Sequence, residues 1–348
     1  MLTIRAVAKA AGVSIATVSN VLTGNRKVSP ELEKKVLNTV KRLHYQVDPV
    51  ASSLKSKTTK TIGFVVSSID SIFFPEVIKG IERVTEEKNY SVTFFPTNNN
   101  FEYEKKYIRI LLSNRVDGII VDSLARENDK EYLQLLSTLH YKEKRVPVVS
   151  IERDLTEHHI DSVAVDYLEG AYQATLHLLK QGCKTIAHIT GPKNAAWATR
   201  RTEGYKKALQ DNALPIDESL IREGDFSSIS GYVQTKKLLN EGITFDGLFA
   251  ANDLMAIGAI KAIHEYGLAI PENIKIIGFD NIFISSLLTP SLSTINIPKR
   301  RMGEMAAKLL FGKIENCQDK NTENIILPFS LIERNSTNPL KTTNWELY

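Results

Sequence analysis

Cysteine is nearly absent from this chain of 348 residues, which contains only Cys183 and Cys317. The two lie 134 positions apart, without a CxxC motif or a Cys/His set at ligand spacing, so we expect neither a disulfide framework nor a structural zinc site. The sequence also lacks a signal peptide's apolar core and any run of about 18 apolar residues. These absences argue against a disulfide-rich secreted scaffold and a helical membrane protein, and we expect a cytoplasmic protein.

Several enzyme signatures are missing as well. No GxxxxGK[ST], GxGxxG, GxSxG or HExxH motif occurs, which lowers the expectation of an enzyme without removing it. We expect no cofactor and no metal ion. The chain has 348 residues, of which 43% are hydrophobic and 24% are charged. This length and composition predict two or three globular domains.

Positive charge is concentrated at the start of the chain. The formal net charge is only +4, but residues 1–60 hold 11 basic and three acidic side chains, a net of +8. The other 288 residues therefore carry a net of −4. A basic block of this kind favours a polyanionic partner, most simply nucleic acid.

Two short runs of apolar residues at helical spacing lie between Ile4 and Leu22. Between the runs, Gly12 suits the left-handed residue that ends one helix, and Ser14 suits the N-cap of the next. This spacing predicts a helix-turn-helix. The alternative is a small helical bundle that binds no DNA.

A third helix is predicted over residues 30–43. Ser29 can cap it and Pro30 suits its first turn. Its predicted apolar face consists of Leu32, Val36, Leu37, Val40 and Leu43.

The second helix, over about residues 15–22, is the candidate recognition helix that enters the major groove. Ile15 and Ala16 can contact a thymine methyl group, and Asn20 can form two hydrogen bonds with adenine. Other hydroxyl and amide side chains suit phosphate oxygens. These candidate phosphate contacts are Thr3, Ser14, Thr17, Ser19 and Asn25.

The pattern of residues 46–58 predicts a short helix that begins at Pro49, with Asp48 as its cap. Val50, Ala51 and Leu54 would share one face. The alternative is a solvated linker, but a linker would not need Leu54.

From residue 61 the pattern changes to short β-rich runs that alternate with helical stretches, which predicts parallel sheet with crossover helices. The pattern then repeats. Thr-Ile-Gly at 61–63 returns as Thr-Ile-Ala at 185–187, and Asp-Gly-Ile-Ile at 117–120 returns as Asp-Gly-Leu-Phe at 246–249. Two similar α/β lobes are implied.

In open α/β sheets, ligands bind beyond the carboxyl ends of the strands. At these positions the chain has an arginine, amides, carboxylates and aromatic side chains. Directed polar groups and aromatic faces fit a polyhydroxylated ring. A sugar is therefore favoured over a purine or an amino acid.

Two N-terminal segments and five core motifs resemble the lactose-repressor/galactose-repressor (LacI/GalR) family of bacterial transcription regulators. The segments are IRAVAKAAGVSIATVSNVL at 4–22 and RLHYQVDPVASSL at 42–54. The core motifs are RTEGY at 201–205, ANDLMAIGA at 251–259, GFDN at 278–281, LSTI at 292–295 and LPFSLIERNST at 327–337.

The resemblance implies an α/β protein with a helix-turn-helix DNA-binding domain over 1–47, a hinge helix over 48–58 and a core over 59–348. The core would resemble periplasmic binding proteins, with two lobes of parallel sheet flanked by helices. The first lobe is expected at about 60–163 and 292–325, and the second at about 164–291 and 326–340.

The resemblance also implies roles for individual residues. The hinge helix would pair with its twin in a homodimer and insert Leu54 into the minor groove, with Lys55 beside it. Trp197 is unusual for the family, and its place at a strand-to-helix junction predicts either a stacking platform or a lid over the cleft. The implied effector contacts are Phe73, Glu152, Arg201, Phe226, Asn252 and Asp280.

Each candidate has a structural alternative. Arg201 could be a surface partner of Glu203 or Glu223, whereas Asn252 and Asp280 could cap the following helices. The two aromatic candidates, Phe73 and Phe226, could be ordinary core residues.

We interpret the chain as a homodimeric transcription regulator, most simply a repressor, that binds a near-palindromic operator. A small effector, expected to be a sugar or sugar derivative, would control its affinity for double-stranded DNA. The sequence leaves open whether the effector increases or decreases that affinity. No membrane partner is expected. The alternatives are a sugar-binding protein without DNA function, and a sugar-acting enzyme that uses Glu152, Asp280 or another carboxylate as acid or base.

Overall fold

A computed structural model describes residues 3–23, 26–45, 58–69, 71–193, 195–316 and 321–341. The chain divides into two compact units, Met1–Thr59 and Lys60–Tyr348. The hinge helix expected over 48–58 lies almost entirely outside the described residues and stays a prediction.

The N-terminal unit contains the three expected helices: α1 (Ile4–Ala11), α2 (Ile15–Thr23) and α3 (Pro30–Arg42). Gly12 ends α1 with a φ of 60°, in the left-handed region that glycine adopts without a Cβ penalty. The Ser14 hydroxyl accepts the Thr17 amide at 3.0 Å and so caps α2. The predicted helix-turn-helix is confirmed.

The apolar face expected for α3 is only partly correct. Val36 is fully buried, but Leu32 and Leu37 are 39% and 46% exposed. Leu37 is one residue from Val36, which rotates it by about 100° around the helix, and α1 and α2 cover only a narrow stripe. The small core of this unit consists of Val7, Ala8, Ala11, Val18 and Val36.

The core unit contains two six-stranded sheets. The first has the order β13-β7-β6-β3-β1-β2 and all its pairs are parallel. The second has the order β14-β12-β11-β10-β8-β9, with only β14 antiparallel. The strands are β1 Thr61–Val66, β2 Ser91–Pro96, β3 Gly118–Val121, β4 His140–Tyr141, β5 Lys144–Arg145, β6 Val148–Ile151, β7 Asp161–Val165, β8 Ile186–Thr190, β9 Ile221–Glu223, β10 Gly247–Ala250, β11 Lys275–Asp280, β12 Ser293–Asn296, β13 Asn324–Leu327 and β14 Ser330–Ile332.

Helices flank both sheets, as expected for parallel strands joined by crossovers. β4 and β5 form a separate small hairpin. The helices are α4 Phe74–Glu87, α5 Phe101–Ser113, α6 Lys130–Ser137, α7 Tyr167–Lys180, α8 Ala196–Asp211, α9 Ser228–Asn240, α10 Asp253–Glu265 and α11 Lys299–Glu315. None of the helices in the described part of the chain has the length and hydropathy of a membrane span.

The boundaries expected for the two lobes need correction. We placed residues 292–325 in the first lobe, but β12 pairs with β11 and β14 in the second sheet. We placed residues from 326 in the second lobe, but β13 pairs with β7 through Leu327, and β7 itself continues to Val165. The sequence pattern of a buried apolar strand does not show which sheet the strand joins, because the sheet is determined by the strand's pairing partners. The chain thus crosses between the lobes after β7, β12 and β13.

The internal repeat seen in the sequence marks equivalent places in the two sheets. Asp117 before β3 accepts the Lys60 amide at 2.9 Å, next to β1. Asp246 before β10 accepts the Thr185 amide at 2.8 Å, next to β8. Each aspartate therefore joins two neighbouring parallel strands at their amino ends, and the prediction of two similar lobes is confirmed.

Candidate functional site

A cavity of about 480 Å³ lies where the carboxyl ends of the strands of both lobes meet. Its lining combines residues that follow β1, β3 and β6 of the first lobe with residues that follow β10 of the second and with Asp280, the last residue of β11. All seven effector candidates line it together: Phe73, Glu152, Trp197, Arg201, Phe226, Asn252 and Asp280.

Arg201 is the cation at the base of this cavity. Its side chain is 2% exposed, and its guanidinium donates to the Ala251 carbonyl at 2.5 Å and to the Asp280 carboxylate at 3.3 Å. The guanidinium carbon also lies 4.1 Å from the Phe279 ring centre and 4.8 Å from that of Tyr167, which favours a cation. The alternative of a surface ion pair with Glu203 or Glu223 is wrong, because Arg201 is buried. Arg200 pairs with Glu203, and Lys193 pairs with Glu223.

The backbone around the cavity is held in unusual conformations. Glu152, Phe226, Asp280 and Asn281 have φ values of 68°, 68°, 103° and 52°, a region that side-chain-bearing residues seldom adopt. The Lys299 ammonium donates to the carbonyls of Asp280 and Asn281 and so stabilises two of them. Such strain clusters at ligand sites, where surrounding contacts hold it.

The first lobe contributes two buried carboxyl groups. Glu152 accepts the Tyr167 hydroxyl, yet burial and the nearby Asp122 raise the pKa of Glu152 to about 8. Burial also raises the pKa of Asp122 to about 6 and, against the pull of Arg201, raises that of Asp280. A cluster of buried carboxyls in a cavity favours ligands that donate hydrogen bonds to them.

Asn252 caps the following helix, as the structural alternative proposed, and also lines the cavity. Its side-chain oxygen accepts the Met255 amide at 2.9 Å and caps α10, while its amide donates to the Phe226 carbonyl at 2.9 Å. Phe226 is stacked with Trp197 at 6.5 Å and 19°. Its ring lies directly over Gly191, where a Cβ would come within 2.2 Å. Aromatic faces therefore form one wall of the cavity.

The other candidates have clear places too. Phe73 is 4% exposed and contacts the Phe74 ring edge-on at 5.3 Å, so it is a core aromatic that also lines the cavity. Asp280 does not cap a helix through its side chain, which pairs with Arg201 instead.

The strand-end residues Ser67 and Asp225, which the sequence already marks as candidates, line the cavity as well. Sequence reasoning missed other lining residues, among them Asn99, Asp122 and Leu254. Asp122 directly follows β3, so the strand-end rule could have identified it. Leu254 carries no polar signal that could have distinguished it from an ordinary helix residue.

The candidate nucleic-acid surface lies at the start of α2. Ile15 is 45% exposed, an unusual position for isoleucine, and Ala16 beside it is exposed as well. Thr17 and Asn20 are half-buried on the same helix, and the Thr17 hydroxyl contacts that of Ser14 at 2.9 Å. Thr3 is exposed before α1, and Ser19 is half-buried. Asn25, Leu54 and Lys55 lie outside the described residues.

Basic side chains of this unit are exposed. The salt bridges of the described residues all join side chains of the core unit. The cations among the described residues of the N-terminal unit are therefore available to phosphate groups. They are Arg5, Lys9, Arg26, Lys27, Lys34, Lys35, Lys41 and Arg42.

Comparison with known proteins defines the class. Residues 3–48 match the bacterial regulatory proteins of the lacI family, and residues 175–337 match a periplasmic binding protein-like domain. The chain belongs to the LacI family of DNA-binding repressors, which are controlled by effectors and typically bind as dimers.

Particular relatives cover almost the whole chain. The ribose operon repressor of Halalkalibacterium halodurans is 37% identical over 97% of this chain and 97% of its own. The transcriptional repressor PurR of Pasteurella multocida is 38% identical over 94% of this chain and 95% of its own. A crystal structure of the lac repressor dimer bound to operator and the anti-inducer ONPF matches with a TM-score of 0.87, at 30% identity, over 97% of this chain and 99% of that one.

Proposed function

We propose that this chain represses transcription by binding a near-palindromic operator through its N-terminal unit, under the control of a neutral sugar or sugar derivative bound between the lobes of its core. The observation that carries the proposal is the cavity that brings Arg201, Asp280 and the two first-lobe carboxyls together. The helix-turn-helix and its exposed cations support the DNA-binding part.

The DNA contacts that we propose follow from exposure and side-chain chemistry. Ile15 and Ala16 would pack against thymine methyl groups and Asn20 would bind adenine. Hydroxyl and amide side chains would position the unit on phosphates, and Leu54, with Lys55 beside it, would act as the minor-groove wedge. The proposed phosphate contacts are Thr3, Ser14, Thr17, Ser19 and Asn25.

The sugar assignment follows from the lining of the cavity. Carboxylates and an amide provide acceptors and donors for hydroxyl groups, and the Trp197 and Phe226 rings provide apolar faces for a sugar ring. Arg201 fixes Asp280 in place and exposes little charge of its own. These features support a polyhydroxylated, uncharged ligand.

We favour a regulator over a sugar-acting enzyme. Asp280 is paired with Arg201 and Glu152 accepts the Tyr167 hydroxyl, so the two carboxyls named in the enzyme alternative are each already hydrogen-bonded within the protein. The relatives are transcription regulators. Since the target is chromosomal DNA, the proposed site of action is the cytoplasm.

Control of DNA affinity would operate through the lobes. Three chain crossings join them, and a ligand that contacts both lobes favours one of their relative arrangements. The proposed homodimer places two recognition helices on the two half-sites and pairs the hinge helices. A change of lobe arrangement would alter whether that pair can form on DNA.

A thermal-shift screen of the full chain against sugars, sugar phosphates and nucleobases tests the ligand class. A neutral sugar should raise the Tm and also change the affinity for an operator selected from a random DNA library. A nucleobase that does both would replace the sugar assignment. If no DNA sequence were enriched from the library, the proposal that this chain is a sequence-specific transcription regulator would be contradicted.

A further inference from the structure

We propose that the first lobe has a second small-molecule site, outside the interlobe cavity, that binds a phosphate monoester. The site is a cavity of about 400 Å³ at the amino ends of β6 and β7. The effector candidate Glu152 follows the opposite, carboxyl end of β6, and the two cavities share no lining residue. The second site is therefore separate from the proposed effector site.

Four parts of the first lobe surround this cavity. They are the end of α6, the β4–β5 hairpin, the last turn of α11 and the stretch before β13. The volume lies in the range of about 300–1,000 Å³ that small-molecule sites occupy, so the cavity fits a small molecule. The charged and titratable side chains of its lining are His140, Arg145, His159, Asp161 and Lys313.

Arg145 of β5 is the cation without an acidic partner. Its side chain is half-buried, and its guanidinium contacts the Ser137 carbonyl at 3.4 Å. It takes part in no salt bridge within the described part of the chain. A planar guanidinium presents several donors, so Arg145 can bind an oxyanion through two of them.

Lys313 adds a buried cation to the same cavity. Its side chain is 8% exposed, and its ammonium lies 3.5 Å from the Asp161 carboxylate and donates to the Asn321 carbonyl. Asp161 is the one acidic side chain in the described lining, and it also accepts the Glu323 amide at 2.8 Å. Burial raises the pKa of Asp161, so this position disfavours the charge that would neutralise Lys313.

The balance of charge in the lining is positive. Arg145 and Lys313 stand against Asp161, before the imidazoles of His140 and His159 are considered. The neighbouring Glu323 is exposed, so solvent screens its charge. A partly enclosed cavity with an excess of positive charge attracts an anion.

Side-chain geometry and volume favour a phosphate monoester among small anions. A guanidinium forms two parallel hydrogen bonds with a phosphate, and a lysine ammonium binds it as a point charge. The two charges of a phosphate monoester match two cations, whereas a carboxylate carries one. Inorganic phosphate alone would leave most of the cavity empty, and a sugar or another small polar group can fill that space.

The hairpin that holds Arg145 also contacts the start of the core unit. Lys144, beside Arg145 on β5, pairs with Asp117, and Asp117 accepts the Lys60 amide at 2.9 Å. Lys60 is the first residue of that unit. A ligand that binds Arg145 and Lys313 joins the hairpin to α11 and should therefore raise the Tm of the core.

Calorimetric titration of the full chain, in phosphate-free buffer at constant ionic strength, tests the ligand class. The probes are glucose 6-phosphate and ribose 5-phosphate, and inorganic phosphate and gluconate are the comparisons. At least one monoester should bind about tenfold more tightly than either comparison anion, and the same monoester should raise the Tm.

Two variants of the lining test where the monoester binds. Arg145→Gln should weaken its binding by about tenfold or more and remove the Tm shift. The Tm without ligand should change little, because the contact that Arg145 makes at 3.4 Å is a long one. His159→Asn should also weaken binding, and asparagine tolerates the φ of 59° at this position. If Arg145→Gln does not fold, His159→Asn decides.

Two further variants are controls that should leave the affinity for the monoester unchanged. Lys142→Gln removes an exposed cation from the turn of the same hairpin. Trp197→Ala removes the ring that is proposed to bind a sugar in the interlobe cavity.

Each contrary result overturns the second site. Neither monoester binds, inorganic phosphate or gluconate binds as tightly, or Arg145→Gln folds and binds the monoester like the wild type. Equal weakening by Lys142→Gln and Arg145→Gln would show unspecific attraction to the hairpin. Loss of binding in Trp197→Ala would place the monoester in the interlobe cavity instead.

Discussion

The N-terminal unit and the cleft of the core handle charge in opposite ways. In the first, the described part of the chain has eight exposed cations on a small three-helix unit. In the second, Arg201 and Asp280 are buried together at 3.3 Å. Exposed charges can follow a polyanion of any sequence, whereas buried charges in fixed geometry select one small molecule. The two surfaces should therefore respond differently to salt, substitution and pH.

The largest expected effect is the response of DNA binding to salt. With six to ten phosphate contacts, affinity should fall by about 10³ to 10⁵ between 50 and 200 mM salt, because released counterions oppose binding. Fluorescence anisotropy with labelled duplex DNA measures the slope. Lys27→Gln should reduce that slope by about one, whereas Lys261→Gln on the core surface should not change it. A flat salt dependence would contradict binding through the exposed cations.

Substitution of the buried cation should have the next largest effect. Arg201→Ala leaves Asp280 as an unpaired buried carboxylate, which should cost about 3–5 kcal/mol of stability and abolish the Tm shift given by the effector. Arg200→Ala, one residue away on the exposed side of α8, is the control and should preserve both. A full effector shift in the Arg201 variant would place the binding site elsewhere.

The pH response distinguishes buried from exposed carboxyls. The pKa of Glu152, raised to about 8 by burial, means that its neutral form is favoured in the folded state. Its contribution to stability is present at low pH and is lost as pH rises from its ordinary pKa to about 8. The Tm of the core should therefore fall over this range, and Glu152→Gln should flatten the curve. Glu143 is exposed, and the control variant Glu143→Gln should keep the wild-type slope of Tm against pH. If Glu152→Gln also kept that slope, the burial of a titrating carboxyl at Glu152 would be contradicted.

Much of the fold was predictable because its signals are local. Gly12 and Ser14 mark the turn of the helix-turn-helix, and the repeated aspartates before β3 and β10 mark equivalent strands. The assignment of β12 to a sheet was not predictable, because a buried strand carries no label for its partner. The exposure of Leu37 was not predictable either, because it depends on how much of α3 is covered by α1 and α2.

The candidate site was predictable where a residue type stood at a strand end, and less so elsewhere. The seven effector candidates converge on one cavity. The positive φ values of Glu152 and Phe226 have no signal in sequence, since neither residue type favours that conformation. Oδ1 of Asp122 is buried without a hydrogen-bond partner among the described residues, which only the folded structure shows.

The smallest expected effect concerns the turn that places the recognition helix. Gly12→Ala puts a Cβ at a φ of 60°, which should cost about 1–2 kcal/mol and lower the thermal stability of the N-terminal unit. Gly312→Ala lies within α11, with nothing within 4 Å of the new Cβ, and should stabilise the core by about 0.5–1 kcal/mol. Differential scanning calorimetry can compare them, and equal effects would contradict the left-handed turn at Gly12.

The central claim is that a neutral sugar in the cleft controls how the N-terminal unit binds DNA. The most direct test is the affinity of the full chain for its selected operator, with and without the sugar that raises its Tm, at one salt concentration. The account predicts at least a tenfold change in Kd that disappears in Arg201→Ala and persists in Arg200→Ala. An operator affinity that is identical with and without the bound sugar would contradict it.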